Sequence, residues 1–298
     1  MTNPTCPLCH ATSTACLVGR PDHEYGVPAR VDYHRCAGCR SVFVDPLPSP
    51  DEISSFYAAY STHGAAADHP EGRLARWARR MSQREFEAAA PASRDLPVLD
   101  YGCGDGAFLR RLLSTGHRQA VGYDFDPAAR AAARGSGAAV VDDVEELAEH
   151  GPYGTITLNH VIEHLADPAE SLARLGELLV PGGRLVLRTP NARSVLSRVF
   201  RDSWRGWETP RHLHIFTPAG MRALADDPQL KGLRLRHLGT SEAMYLGIFH
   251  ESLHGARWQR PVGKLLRHAL ALVSWGALSV ATRVRPVGEE LVVVLERG

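Results

Sequence analysis

The eleven residues 98–108, VLDYGCGDGAF, constrain the fold of this chain more than any other stretch. A short apolar run ends in Gly102, Gly104 and Gly106 on alternate positions, and the amphipathic run AFLRRLLSTG follows at once. Glycine allows a sharp turn and puts no Cβ between the backbone and a ligand. The segment therefore reads as strand, tight turn and helix, with the free N–H groups of the helix start facing whatever the turn holds.

The same alternation continues downstream. AVGYDF, AAVVDD, TITLNHV and RLVLRTP read as strands. PAARAAAR, with proline at its first helical position, and DPAESLARLGELLVPGG, ended by Pro181, Gly182 and Gly183, read as helices between them. Two more strands are expected over 233–240 and 290–298. This order predicts an α/β, Rossmann-like, mostly parallel seven-stranded sheet with helices on both faces. About 48 residues separate the last two strands, too many for a turn, so 242–287 is expected to be a helical insertion.

The turn carries a chemical preference. Dinucleotide-binding turns have the spacing G-x-G-x-x-G; here it is G-x-G-x-G, with Asp100 two residues ahead of the first glycine. A carboxylate there repels a pyrophosphate and suits a cation, such as the sulfonium and ammonium of S-adenosylmethionine (SAM). Asp124 ends the second strand, 18 residues after Gly106, where a carboxylate can accept both hydroxyls of a ribose. Asp142 and Asp143 end the third, in reach of an adenine amino group. Singly, each aspartate could cap a helix or turn a loop; as an ordered set with three glycines they point to a nucleoside site.

At these residues the chain resembles the class I SAM-dependent methyltransferases, over about 95–240 and the final strand. VLDYGCGDGAF is similar to their first motif, VGYDFDP to the ribose-binding strand end, and VVDDVEEL to the adenine-binding segment. LNHVIEHLADP and LLVPGGRLVLRTPN resemble the blocks around strands four and five. The resemblance implies cofactor contacts from Asp100, Gly102, Gly104, Gly106, Asp124, Asp143, the backbone of Val144, and Asn159 at the methionine end. Tyr153-Gly154-Thr155 departs from the Phe-Asp of many relatives.

Six cysteines are present, and four form the pairs Cys6-x-x-Cys9 and Cys36-x-x-Cys39, 26 residues apart. Two such knuckles supply four thiolates for a closed, structural zinc site, with His10 and His34 as substitute ligands and Cys16 and Cys103 left as free thiols. The start MTNPTCPLCH carries no secretory pattern, which favours metal over disulfides and a cytoplasmic location. Residues 1–48 are thus read as a zinc module, 49–94 as a helical linker or lid, and 95–298 as the methyltransferase domain. HRCAGCRSVFVDPLPSPDEISSFY is similar to the opening of a bacterial subgroup, including sugar C-methyltransferases of antibiotic pathways, that acts in glycan modification and natural-product biosynthesis.

His160-x-x-Glu163-His164 matches the H-x-x-E-H of a metalloprotease helix. It follows the fourth strand, where the relatives carry the same residues beside the reacting methyl, and the protease reading is rejected. WRGWETPRHLHIFTP, residues 204–218, should reach over the substrate side. It is either a packed loop or a substrate wall with His212 or His214 as general base, ahead of His160. Residues 242–287 are either a cap or dimer face, or a contact with a membrane surface or a greasy substrate.

The formal net charge is +1, from 34 Lys and Arg against 33 Asp and Glu. The four arginines of residues 1–48 are opposed by four acids, so no basic stripe marks nucleic acid as the partner. The expected function is methyl transfer from SAM to a small-molecule, sugar or natural-product acceptor. An RNA methyltransferase gripping RNA through its zinc module and a non-catalytic SAM-binding or assembly protein are the alternatives.

Overall fold

The computed structural model describes residues 3–22, 26–57, 95–241 and 287–298. Most of the expected lid at 49–94 and nearly all of the insertion at 242–287 lie outside these residues.

The main sheet has seven strands. In chain order they are β4 (Val98–Tyr101), β5 (Ala120–Tyr123), β6 (Ala139–Val140), β7 (Tyr153–Asn159), β8 (Leu179–Pro190), β10 (Leu233–Ser241) and β11 (Glu290–Arg297). Their spatial order is β10-β11-β8-β7-β4-β5-β6. The pairs β8/β7, β7/β4, β4/β5 and β5/β6 are parallel, and the last strand β11 enters antiparallel between β8 and β10. The sheet is the Rossmann-like, mostly parallel one that the strand–helix alternation predicts. Strands β7, β8 and β11 are apolar and buried along most of their length, as a sheet covered on both faces requires.

Local chemistry sets the connecting helices. Helix α1 (Pro50–Ser55) starts with a capping box: Ser49 accepts from the Glu52 backbone, and Glu52 accepts from Ser49. Helix α2 (Ala107–Ser114) follows the glycine turn, α3 (Pro127–Ala133) is capped by Asp126, and α4 (Pro168–Glu177) by Asp167. Helices α5 (Val195–Phe200) and α6 (Pro218–Ala225) are capped by Ser194 and Thr217. Each cap satisfies one N–H that the first turn leaves without a partner.

Several boundaries differ from the sequence reading. Helix α4 stops at Glu177, before Pro181-Gly182-Gly183; β8 already begins at Leu179, and its register with β7 shifts between Leu179 and Arg184. Strand β7 starts at Tyr153, and β6 is only two residues long. His160 does not begin a helix: its φ is +56°, and a single 3₁₀ turn, Ile162–His164, follows.

The N-terminal residues form a second sheet of β1 (Ser13–Pro21), β2 (Arg30–Cys36), β3 (Val42–Val44) and β9 (His214–Ile215). The fourth strand comes from the 204–218 loop, which pairs Phe43 with His214. Cys6, Leu8, Cys36, Cys39 and Phe43 belong to the same apolar core as Leu99, Leu158 and Met221.

Candidate active site and metal centre

The glycine turn sits at the carboxyl end of β4. Gly102, Gly104 and Gly106 all take positive φ, +83°, +55° and +76°. A Cβ on Gly102 would lie 2.2 Å from Cγ2 of Val161, so the turn is closed to any other residue without a shift. Beside it opens a cavity of about 530 Å³, lined by Tyr101, Gly102, Gly104, Tyr123, Asp124, Phe125 and Asp126 on one side. Asn159, His160, Val161 and His164 line the other, and Ile53, Ser54 and Tyr57 approach from α1. The cavity lies outside the carboxyl ends of parallel strands, where open α/β sheets bind ligands.

Asp124 is held rigidly: its Oδ2 accepts from the Gly104 N–H at 2.9 Å and its Oδ1 from the Asp126 N–H at 3.0 Å. Asp100 lies beneath the turn, 2% exposed, and accepts from Thr157 Oγ1 at 2.7 Å. Burial pushes its carboxyl up to about 7, the Thr157 hydroxyl opposing and the Asp124 charge adding. A cation at the cavity floor would favour its ionised form.

The remaining expected contacts divide. Gly106 caps α2 at the far end of the turn. Asn159 reaches the cavity wall, whereas Asp143 and Val144 are exposed and do not line it. Phe125, 54% exposed, does, and meets the Tyr57 ring edge-on with centroids 4.7 Å apart.

The histidines separate by environment. His160 is clamped by Glu163 (Nδ1 to Oε1, 3.3 Å) and Glu290 (Nε2 to Oε1, 2.7 Å). Burial alone would lower its pKa, but the two carboxylates outweigh it and hold the imidazolium up to about 10. A ring clamped between two carboxylates that favour its protonated form is poorly suited to accept a further proton. His212 and His214 are both 3% exposed and off the cavity wall. His212 Nδ1 donates to the Gly206 carbonyl, and its Nε2 faces Glu208 at 3.5 Å. His214 Nε2 lies 3.4 Å from the Ala166 carbonyl. Burial pushes both down to about 4. The histidine that does reach the open wall opposite the glycine turn, besides His160, is His164. Its Nδ1 lies 3.0 Å from the Arg211 carbonyl and 3.1 Å from the Tyr57 hydroxyl, and its ring packs on His212 with centroids 4.8 Å apart.

Sequence reasoning placed His164 beside the reacting methyl only as part of the H-x-x-E-H stretch, and read the α1 region as helical without bringing Tyr57 to the cavity. The signal for Tyr57 was nil, because α1 meets the cavity only through the tertiary fold. Glu163 is fully buried, and its Oε2 has no hydrogen-bond partner among the described residues. Glu163, His164 and His212 each place one ligand atom within 4.8 Å of the others. The H-x-x-E-H stretch does not lie on one regular helix, as a metalloprotease motif must.

The four thiols Cys6, Cys9, Cys36 and Cys39 are gathered within 4.8 Å of one another. Cys6 and Cys39 sulfurs are 3.8 Å apart, Cys9 and Cys36 sulfurs 3.4 Å. Four thiolates around a tetrahedral zinc at ~2.3 Å stand about 3.8 Å from each other, so the set fits that ion. His10 and His34 are not among the gathered ligands. Both knuckles close on a residue in the left-handed region, His10 and Arg40.

A family model described as a methyltransferase domain matches residues 68–235. A ubiquinone biosynthesis O-methyltransferase of Xanthomonas euvesicatoria is 36% identical over 103 residues, 32% of this chain and 43% of that protein. A tRNA U34 carboxymethyltransferase of Methylococcus capsulatus is 30% identical over 139 residues, 44% of this chain and 41% of that one. The chain thus spans about half the length of such relatives. Among solved structures, the plantazolicin methyltransferase BamL, in complex with a triazolic desmethylPZN analog and SAH, aligns with a TM-score of 0.48 at 14% identity, over 84% of this chain and 91% of its own.

Proposed function

The chain belongs to this methyltransferase-domain family, and we propose that it moves a methyl group from SAM to a small-molecule, sugar or natural-product acceptor. The observation that carries the reading is the cavity at the carboxyl ends of β4, β5 and β7, where Asp124 is fixed by the glycine turn it faces. SAM, when bound, supplies a methyl group already activated on a sulfonium. The protein's work is then positioning, exclusion of water and acceptance of one proton.

In this reading Asp124 binds the ribose hydroxyls, the Gly102–Gly106 turn admits the ligand backbone-close, and buried Asp100 supplies negative charge below it. Asn159 faces the methionine end. Tyr57 and Phe125 shield the cavity mouth. Asp143 and Val144, exposed and outside the cavity lining, keep no assigned contact in this reading. The O-methyltransferase relatives support a hydroxyl as acceptor, whereas the resemblance to sugar C-methyltransferases supports a sugar carbon.

We assign the proton acceptor to His164 in place of His212, His214 and His160. His164 lines the cavity, with Arg211 and Tyr57 fixing its Nδ1 side, whereas His212 backs it as a positioning residue. The four cysteines hold a structural zinc that ties the N-terminal sheet together.

Calorimetry with SAM and its demethylated product tests the cofactor site. Asp124→Ala should weaken both by ~1.5–3 kcal/mol through loss of charge-assisted bonds. No SAM binding by the parent protein would overturn the function, and unchanged affinity in the variant would remove Asp124. His164→Ala should keep SAM affinity and lose about 10²–10⁴-fold in turnover of the acceptor; near-normal turnover would remove the histidine.

A further inference from the structure

A second cavity, of about 620 Å³, opens where the N-terminal sheet meets helix α5. Five arginines line it: Arg35 and Arg40 from β2 and the second cysteine knuckle, and Arg193, Arg198 and Arg201 from the turn before α5, the helix itself and its end. The one carboxylate in the lining is Asp202. None of the five guanidinium groups makes a hydrogen bond or ion pair with a described residue. Arg130, Arg134, Arg174 and Arg184 each have a carboxylate partner within 3.2 Å. The five belong to two regions more than 150 residues apart in sequence, and only the fold brings them together.

Like charges gathered in a concave, partly desolvated cleft repel one another, and the repulsion is relieved by an anion. A guanidinium presents paired N–H donors in a rigid fork that matches phosphate oxygens. The backbone here is also held in a costly shape. Arg201 has φ +46°, and its carbonyl accepts from Trp207 Nε1 at 2.7 Å and from the Trp204 N–H at 3.1 Å. Strain of this kind persists where surrounding structure over-determines it, often at ligand clamps. The Trp207 ring itself lines the cleft and carries Arg20 on its face at 5.5 Å.

We propose that this cleft binds a small soluble ligand bearing a diphosphate, such as a nucleoside diphosphate or its ester. A diphosphate has enough oxygens to engage several forks at once, and the cleft has the volume of a small-molecule site. The positive charge is confined to a cavity in a chain of net charge +1, not spread along a face as a nucleic-acid track requires. The segment 204–212 runs between the cleft and His164 of the other cavity. Trp207 faces one side, while the Gly206 carbonyl holds His212 against His164 on the other. The site is nevertheless a separate one, and its ligand is bound without reference to SAM.

Titration of the full chain at low salt with inorganic pyrophosphate, inorganic phosphate and UDP, followed by calorimetry, tests the proposal. Pyrophosphate and UDP should saturate in the sub-millimolar to millimolar range, ahead of phosphate. Affinity should fall about tenfold or more in Arg193→Ala/Arg198→Ala, both exposed positions whose loss leaves the core intact. Arg174→Ala, on α4, should bind like the parent, and equal melting temperatures will show that the variants are folded. Absence of saturation, or equal affinity in the double variant, overturns the proposal. So does binding to anionic phospholipid vesicles, or to a short single-stranded RNA, that the double variant abolishes while soluble diphosphates do not bind.

Discussion

At His160, a single side chain closes the centre of the molecule: one imidazole between Glu163 and Glu290, with Arg188 3.7 Å from the same Glu290 oxygen. Each carboxylate is fully buried, and each is held in its ionised form against the cost of burial by these cations. Breaking such a cluster by removing one member leaves a buried charge without compensation. The sign of its pH dependence follows from the raised pKa. Folded His160 keeps its proton to about 10, above the ~6.5 of an unfolded histidine. Its stabilisation is therefore complete below ~6.5 and is lost as pH rises through about 10. The melting temperature should decline over that window, and His160→Gln should flatten the decline while lowering stability at pH 6. An unchanged slope in the variant would show that His160 does not carry this charge. The residue pattern H-x-x-E-H was legible in the sequence, but the Glu290 partner, 130 residues away, was not, and that partner favours the protonated ring.

Among the elements, β9 does the least expected thing. Only two residues long, it leaves the methyltransferase domain to complete the N-terminal sheet. The joint continues into α6: the Thr217 side chain donates to the Cys39 carbonyl at 2.6 Å, and its backbone N–H donates to Ser41 Oγ at 3.1 Å. Gly220, one turn into α6, leaves room for that hydroxyl, since a Cβ there would lie 2.0 Å from Ser41 Oγ. Gly220→Ala should therefore destabilise the protein by ~1–3 kcal/mol despite the better helix propensity of alanine. Ser41→Gly in the same chain should recover part of the loss. Denaturant midpoints of the two single variants and the double give the coupling, and additive effects would show that the joint is not where the strain falls. The 204–218 run signals aromatics, histidines and an arginine but carries no strand periodicity, so its pairing with Val42 and Phe43 could not be read from the sequence.

For the molecule as a whole, Cys6, Cys36 and Cys39 lie inside the main apolar core, with half-buried Cys9 packed against it, rather than in an appended knob. Zinc bound there contributes to folding directly. Freshly purified protein should contain about one zinc per chain, and a chelator should lower the melting temperature of the entire chain in one transition. A metal content near zero, with unfolding indifferent to chelator, would remove the ion. Among the described residues no helix is long and apolar enough to cross a membrane.

Local chemistry was enough to fix the strand–helix alternation, the glycine turn, Asp124 after the second strand and the two cysteine knuckles. Each depends on residues close in the chain, through backbone freedom, caps and period, so a short window contains its cause. Helix and strand ends shifted by a few residues because pairing partners set them, as Tyr153 with Leu179 does for β7 and β8. What the tertiary structure alone decided is which charged side chains meet. It put Glu290 on His160, Tyr57 on His164, Asp22 on Arg211, and five arginines into one cleft. Electrostatic environment depends on distance in space and on burial, and neither is written in the spacing of residues along the chain.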